Sequence, residues 1–206
     1  MEAGVNMKVV IIGASGTIGR AVQQLLLQQQ HEVIGVRHQG GEWTVDMTDA
    51  DSIAQLFARV GHFDALVVAS GAVAFNSLSA MSTAEWQVGL NSKLLGQIHL
   101  TQAALPWLNE GGSITLISGI LSSEPIAGGI SASVVNGAVE HFVRAAACEM
   151  PRRIRINAVS PSVVTESLAQ YGAFFPGFEA VDAARVAKAY YKALAGIQNG
   201  QIFRVE

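Results

Sequence analysis

Short β-branched runs alternate with longer segments whose apolar residues recur at helical spacing, and that alternation predicts a parallel sheet with helices on both faces. Val9-Val10-Ile11-Ile12 is a continuous apolar run, as a strand buried on both sides requires. It leads into Gly13-Ala-Ser-Gly-Thr-Ile-Gly19, after which Ile18, Ala21, Val22, Leu25 and Leu26 repeat at helical spacing. Glu32 to Val36 reads as a second strand, Trp43 to Asp46 as a short third, and a helix starts between Asp49 and Ser52. The next strand is Ala65 to Ala69, and a long helix is expected from about Thr83 to Leu108. Its start, Ser82-Thr-Ala-Glu85, has the capping-box pattern, in which each end satisfies an orphan backbone amide. Gly111-Gly112 turns the chain into strand Ser113 to Ser118. A helix over Ser131 to Glu149, a strand over Ile154 to Ser160, a helix over Asp182 to Ala195 and a last strand, Gln201 to Val205, complete the pattern. The expectation is one α/β domain over residues 1–206, a doubly wound parallel sheet of about seven strands, with residues 1–6 a loose extension.

Composition narrows the function classes. Half of the 206 residues are hydrophobic, 14% are charged and the formal net charge is −3. Such a chain is not disordered, and its acidity argues against nucleic acid as a partner. The apolar runs fall short of the roughly 18–20 residues that cross a membrane, so no membrane partner is expected. The opening Met1 to Met7 lacks a basic stretch followed by an apolar one, so no signal peptide is read there. Cys148 is the only cysteine, which fits a reducing, cytoplasmic setting; it is read as a small buried group on the helix that holds Ala145, Ala146 and Ala147. The five histidines show no ligand spacing, and no metal site is expected. Without a Gly-x-Ser-x-Gly elbow, a hydrolase triad has no starting point.

The Gly13-x-x-Gly16-x-x-Gly19 loop lies between a predicted strand and a predicted helix, the setting in which such spacing acquires meaning. Glycines there permit a tight turn, close approach of a diphosphate and close packing of helix on strand. Together with Val45-Asp46-Met-Thr-Asp49, Gln102-Ala-Ala-Leu-Pro106, Gly111-Gly-Ser-Ile114 and Ile154-Arg-Ile-Asn-Ala-Val-Ser-Pro161, the loop gives a chain that resembles the short-chain dehydrogenase/reductase family from Met7 to Glu206. Its glycine spacing looks like the family's extended and atypical branches; the standard one has glycine where Thr17 stands. The resemblance implies a Rossmann-type sheet, a nicotinamide dinucleotide, a small-molecule substrate, and a homodimer or homotetramer through the two long helices, which carry His99 and His141.

The resemblance also implies contacts. Gly13, Ser15, Gly16, Thr17, Ile18 and Gly19 would meet the diphosphate, and Asp46 with Met47 the adenine. Ala69, Ser70 and Gly71 would form a strand end that lets backbone approach the cofactor. Pro161, Val163 and Thr165 would lie near the nicotinamide carboxamide and the phosphates. An acidic residue ending strand two would bond the ribose and repel a 2′-phosphate. Here the strand ends in Arg37, whose planar donor fork suits phosphate, so NADP is favoured over NAD. The weaker alternative is that Arg37 only decorates a solvent-facing turn.

The family's proton relay uses a tyrosine, a lysine four residues later, a serine and an asparagine. In the resembling register these positions hold Ile130, Val134, Gly119 and Lys93, so the standard relay is absent. Three readings follow. In the first, an oxidoreductase with a rebuilt site acts on a small alcohol or carbonyl compound. Lys93 is then general acid or base, Ser118 bonds the carbonyl, and Ser131 or Ser133 assists. The second is a nucleotide-binding sensor or inactive partner subunit; the third is an isomerase or dehydratase in the same cleft. Lys93 also reads as a snorkelling surface lysine and Ser118 as a strand-end hydroxyl bonded to backbone. Tyr171, Phe174, Phe175 and Phe178 read either as an apolar lid or as packing at the domain's end.

Overall fold

The computed structural model describes residues 6–206. Six parallel strands form one sheet in the order β2-β1-β3-β4-β5-β6: β1 Lys8–Ile12, β2 Glu32–Val36, β3 Phe63–Val68, β4 Leu108–Ile117, β5 Arg155–Pro161 and β6 Ile202–Val205. Helices α1 (Thr17–Gln28), α2 (Ala50–Val60), α3 (Thr83–Val88), α4 (Gln97–Ala104), α5 (Ile130–Ala146), α6 (Leu168–Tyr171) and α7 (Ala183–Ala195) connect or flank them. The chain reverses direction across the sheet between β1 and β3, the arrangement that opens a crevice at the carboxyl ends of a doubly wound sheet.

The continuous apolar strands face two cores. Val10 and Ile12 of β1 join Leu66 and Val68 of β3 in a layer with Ile53 and Phe57 of α2, Leu100 of α4 and Val139 of α5. Val9 and Ile11 point the other way, with Ala65 and Val67, onto Val22 and Leu26 of α1 and Val186 and Tyr190 of α7. Strand alternation with both faces apolar therefore fixes which helix lies on which side. Tyr190 is fully buried and its Oη donates to the Val68 carbonyl at 2.8 Å, tying α7 to the end of β3. Burial raises its pKa well above the usual value, so the phenol stays a donor. Tyr190→Phe leaves that carbonyl unpaired in the core, and we expect a loss of about 1–2 kcal/mol, read as a lower urea midpoint at unchanged m-value.

Several sequence expectations need correction. The seventh strand, expected at Trp43 to Asp46, is a single bridge between Arg37 and Thr44, since Gly40 and Gly41 take positive φ and carry the segment away in a loop. The long helix expected to Leu108 is three pieces: α3, a π-helical stretch at Gly89–Gly96, and α4, with Leu108 already in β4. Cys148 is exposed, because α5 ends at Ala146 and the thiol lies in the turn beyond. Of the expected N-terminal extension, residues 1–5 lie outside the described residues, while Asn6 Oδ1 accepts from Glu32 N at 3.2 Å. The Ser82–Glu85 capping box is present with both of its bonds. Arg155 donates to the carbonyls of Ala193 and Leu194 at the C-terminus of α7, where a cation is favoured. No described helix is long and apolar enough to cross a membrane.

Candidate functional site

The glycine turn closes the end of β1 tightly. Gly13 N and Ala14 N both donate to Val36 O, and Gly16 N donates back to Gly13 O. Gly13 has φ +87°, and a Cβ there would fall 2.8–3.0 Å from Ser70 and Ala69, so only glycine suits both the backbone and the space. Helix α1 then begins with Gly16 as N-cap; no side chain caps it and its first turn holds no acidic residue. Ser15, Gly16, Thr17 and Ile18 thus surround a helix end whose first amides lack side-chain partners, which is a ready site for an anion.

Beside this turn a cleft of about 600 Å³ opens, lined by Gly13, Arg37, Asp46, Met47, Ala69, Ser70 and Gly71 among others. Arg37 is exposed and forms no ion pair with a carboxylate among the described residues. Asp46 Oδ1 accepts from the backbone and the hydroxyl of Thr48, and these bonds hold its carboxyl below the usual range. The cleft continues through shared residues Gly71 and Ala72 into a compartment of about 320 Å³, walled by Val73, Phe75, Val163, Tyr171 and Phe175. A smaller cavity of about 130 Å³ lies deeper, reached past the same Val73, Phe75, Val163 and Phe175. Its floor carries Lys93, Gly119, Asn136, Pro161 and Ser162.

Lys93 is placed by the π-helical stretch, a wider turn that moves side chains off ordinary helical register. Gln97, fully buried, stitches this stretch to the end of β4: its Nε2 donates to Lys93 O at 2.7 Å and to Ile117 O at 2.9 Å, while its Oε1 accepts from Ile117 N. The Lys93 stem packs beside Gly71, and its Nζ donates to Ser118 O at 3.2 Å. The residue is only 8% exposed, and burial pulls its pKa down from 10.5 to about 8. It is neither a surface lysine nor paired with a carboxylate among the described residues. A buried amine that titrates near neutrality can hold or give up a proton at Nζ.

The other polar candidates take different places. The Ser118 hydroxyl donates to Glu140 Oε1 at 3.0 Å, so it turns toward α5 while only its carbonyl meets Lys93. Ser131 is fully buried, makes no hydrogen bond through Oγ, and lies where a Cβ on Gly89 would meet it at 2.8 Å; it does not line the cavities. Ile130 and Val134 stand on the first turns of α5, the latter exposed. Pro161 and Val163 line the inner cavity, whereas Thr165 is exposed in the turn beyond β5. Tyr171 and Phe175 wall the middle compartment; Phe174 stacks near Phe75, with centroids 5.0 Å apart, and Phe178 packs edge-on against Phe175. The aromatic segment is therefore both wall and packing. Asn136 and Glu140 escaped the sequence reading, because each meets its neighbours only once β4, α5 and the π-helical stretch are assembled.

Comparison with known proteins agrees with this architecture. The family described as enoyl-(acyl carrier protein) reductase matches residues 5–199. The crystal structure of the protein lin1944 from Listeria innocua is 44% identical, superposes with a TM-score of 0.94, and the match covers 97% of this chain and 100% of that one. A small-chain dehydrogenase solved in complex with NADPH shares the fold at 24% identity and a TM-score of 0.88, with 98% and 97% of the two chains covered. An uncharacterised oxidoreductase of Methylorubrum extorquens is 29% identical over 181 residues, which are 76% of this chain and 73% of that protein. The chain belongs to the short-chain dehydrogenase/reductase family of oxidoreductases.

Proposed function

We propose that this protein is an NADP(H)-dependent oxidoreductase of small alcohol or carbonyl compounds, in which Lys93 stands in for the family's usual proton-transfer groups. The carrying observation is the buried Lys93 amine on the floor of the same cleft that begins at the glycine turn. The residues present fit a dinucleotide: an uncapped helix N-terminus, a turn floor kept open by Gly13, and a free guanidinium at the end of β2. Gly13, Ser15, Gly16, Thr17, Ile18 and Gly19 would hold the diphosphate, Arg37 the 2′-phosphate, and Asp46 with Met47 the adenine. Ala69, Ser70 and Gly71 would lie along its middle, and Pro161, Val163 and Thr165 at the nicotinamide end. When bound, the cofactor supplies or accepts a hydride.

The chain's own residues do the rest. Lys93 Nζ gives the proton that a developing alkoxide needs in reduction, and as the neutral amine takes the proton from the alcohol in oxidation. Ser118 enters through its carbonyl, which holds Nζ on the cavity floor, and Gln97 fixes the backbone that carries the lysine. Val73, Phe75 and Phe175 exclude water around the reacting carbon. The same reading takes the chain as one nucleotide-binding domain, working in the cytoplasm as a homodimer or homotetramer. The pairing helices would be α4 with its π-helical approach, where Leu95 stays exposed, and α5.

Calorimetric titration of NADPH, with NADH as the comparison, tests it. We expect micromolar NADPH affinity and NADH at least tenfold weaker. Arg37→Ala should lower NADPH affinity by roughly 10- to 100-fold and leave NADH unchanged, since hydrogen bonds to a charged group contribute about 1.5–3 kcal/mol. Equal affinity for both cofactors removes the Arg37 argument. Binding of neither removes the oxidoreductase reading, and NADPH binding without any hydride transfer favours a nucleotide sensor, the role that apolar Ile130 and Val134 on α5 would suit.

A further inference from the structure

Among the described residues, Asn136 is the one buried amide on the floor of the inner cavity, and none of them hydrogen-bonds to it. The residue is 6% exposed, its Oδ1 has no hydrogen-bond partner, and its Nδ2 makes no bond among the described residues. Buried amides in native proteins are paired, and one left unpaired is a cost that folding alone does not explain. Its placement is specific. A side chain added at Gly119 would come within 3.0 Å of Asn136 Nδ2, so the amide fills the room that Gly119 leaves at the end of β4. The neighbouring carbonyl, Ser118 O, is the one that holds Lys93 Nζ. Asn136 on α5 and Lys93 on the π-helical stretch therefore stand beside the consecutive residues Gly119 and Ser118, and both line the same cavity.

We infer that Asn136 is a substrate-binding residue whose amide, beside Lys93, holds the oxygen of a compact, uncharged alcohol or its ketone or aldehyde: Nδ2 donates to either oxygen, and the unpaired Oδ1 accepts from the alcohol's hydroxyl. The inference rests on the oxidoreductase reading for its chemistry and on the orphaned amide for its site. The cavity limits the substrate. At about 130 Å³ it is close to the roughly 150 Å³ that takes a benzene-sized molecule. Apart from the floor its walls are apolar, namely Val73, Phe75, Ile120, Leu121 and Phe175. Among the described residues Lys93 is the only charged one in either inner compartment, so a second charged group on the substrate would be buried there without a partner.

Cyclohexanone is a probe of the right size and polarity. It is titrated into ¹⁵N-labelled protein, with and without NADP⁺, while the Asn136 side-chain amide resonance is followed; that resonance is assigned by its disappearance in Asn136→Leu. The amide signal should shift saturably. Asn136→Leu should weaken cyclohexanone binding at least fivefold while melting at the wild-type temperature or above, because an apolar group of similar size replaces an unpaired polar one. Asn136→Asp, which keeps the shape and loses the donor, should weaken it as well. An unmoved amide signal at saturating probe, unaltered binding in both variants, or a fall in melting temperature in Asn136→Leu would each overturn the inference and leave Asn136 a packing residue. The oxidoreductase reading fails separately: a protein that binds cyclohexanone through Asn136 and takes neither NADPH nor NADH keeps this site and loses the redox assignment.

Discussion

Lys93→Met should yield a protein that is more stable at neutral pH and nearly inactive. The stability half follows from burial. Lys93 titrates at about 8 in the folded protein against 10.5 when free, so the unfolded chain binds more protons between those values. Stability of the wild type therefore rises as pH climbs from about 8 to 10.5, and below about 8 the whole penalty of a buried ammonium is present. That penalty is about 3 kcal/mol at 1.36 kcal/mol per pH unit. Methionine fills the space without a charge. We expect its melting temperature to exceed that of the wild type by roughly 5–10 °C at pH 7, with the gap closing towards pH 10.5. The activity half follows from proton inventory. With Ile130 and Val134 apolar, Lys93 is, among the described residues, the only titratable group lining the inner cavity, and loss of a general acid typically lowers turnover by about 10²–10⁴-fold. Carbonyl reduction by the wild type should fall as pH rises through about 8, where Nζ loses its proton, and alcohol oxidation should rise through the same range. Thermal melts of both proteins across pH 6 to 11, and NADPH consumption with cyclohexanone across the same range, check the two halves. A variant that melts lower at pH 7 would mean that the amine is held by more than Ser118 O.

The stability gain that lysine forgoes is consistent with a functional site, and it also shows where sequence reading stops. The layers were legible. Val9 to Ile12 alternates between two apolar cores, which a continuous hydrophobic run already implies. The span of β2 and the Ser82–Glu85 box also agree residue by residue with local chemistry, because a cap or a short strand depends on neighbours in sequence. What depended on distant partners was not legible. The helix read as continuous to Leu108 is interrupted because Gly89 and Gly96 let Ser131 and Met47 approach closely, and the resulting π-helical stretch turns Lys93 inward. A 3.6-residue period carries no sign of that turn, so the lysine read equally well as a surface residue. Ser118 posed the opposite problem. Its position at a strand end was correct, yet its hydroxyl is engaged by Glu140, a residue 22 positions away that no local motif singles out.

Gly19→Ala should be the most damaging of the small substitutions in the phosphate turn. A Cβ at this position would stand 2.1 Å from Gly13 O, 2.8 Å from Gly13 C and 3.0 Å from Ala14 Cα. All three atoms are backbone, and all belong to the turn whose Gly13 and Ala14 amides are anchored on Val36 O. No rotamer change relieves the clash, so α1 must lift from β1. Lifting it strips Val22 and Leu26 from the core they share with Val9, Ile11 and Tyr190. Incomplete burial of two such side chains, at about 1.5–3 kcal/mol each when fully exposed, points to a loss of roughly 2–4 kcal/mol. The same shift displaces the uncapped amides at the start of α1, so dinucleotide affinity should fall by more than tenfold even where the chain still folds. Gly137→Ala separates this from a general intolerance of alanine. Gly137 sits within α5 with nothing within 4 Å of an added Cβ, and there alanine should stabilise the helix by about 0.8–1 kcal/mol. Urea denaturation of the two variants, with NADPH titration at a temperature where both are folded, gives the comparison. Equal midpoints would show that α1 does not press on the turn as closely as Gly19 requires.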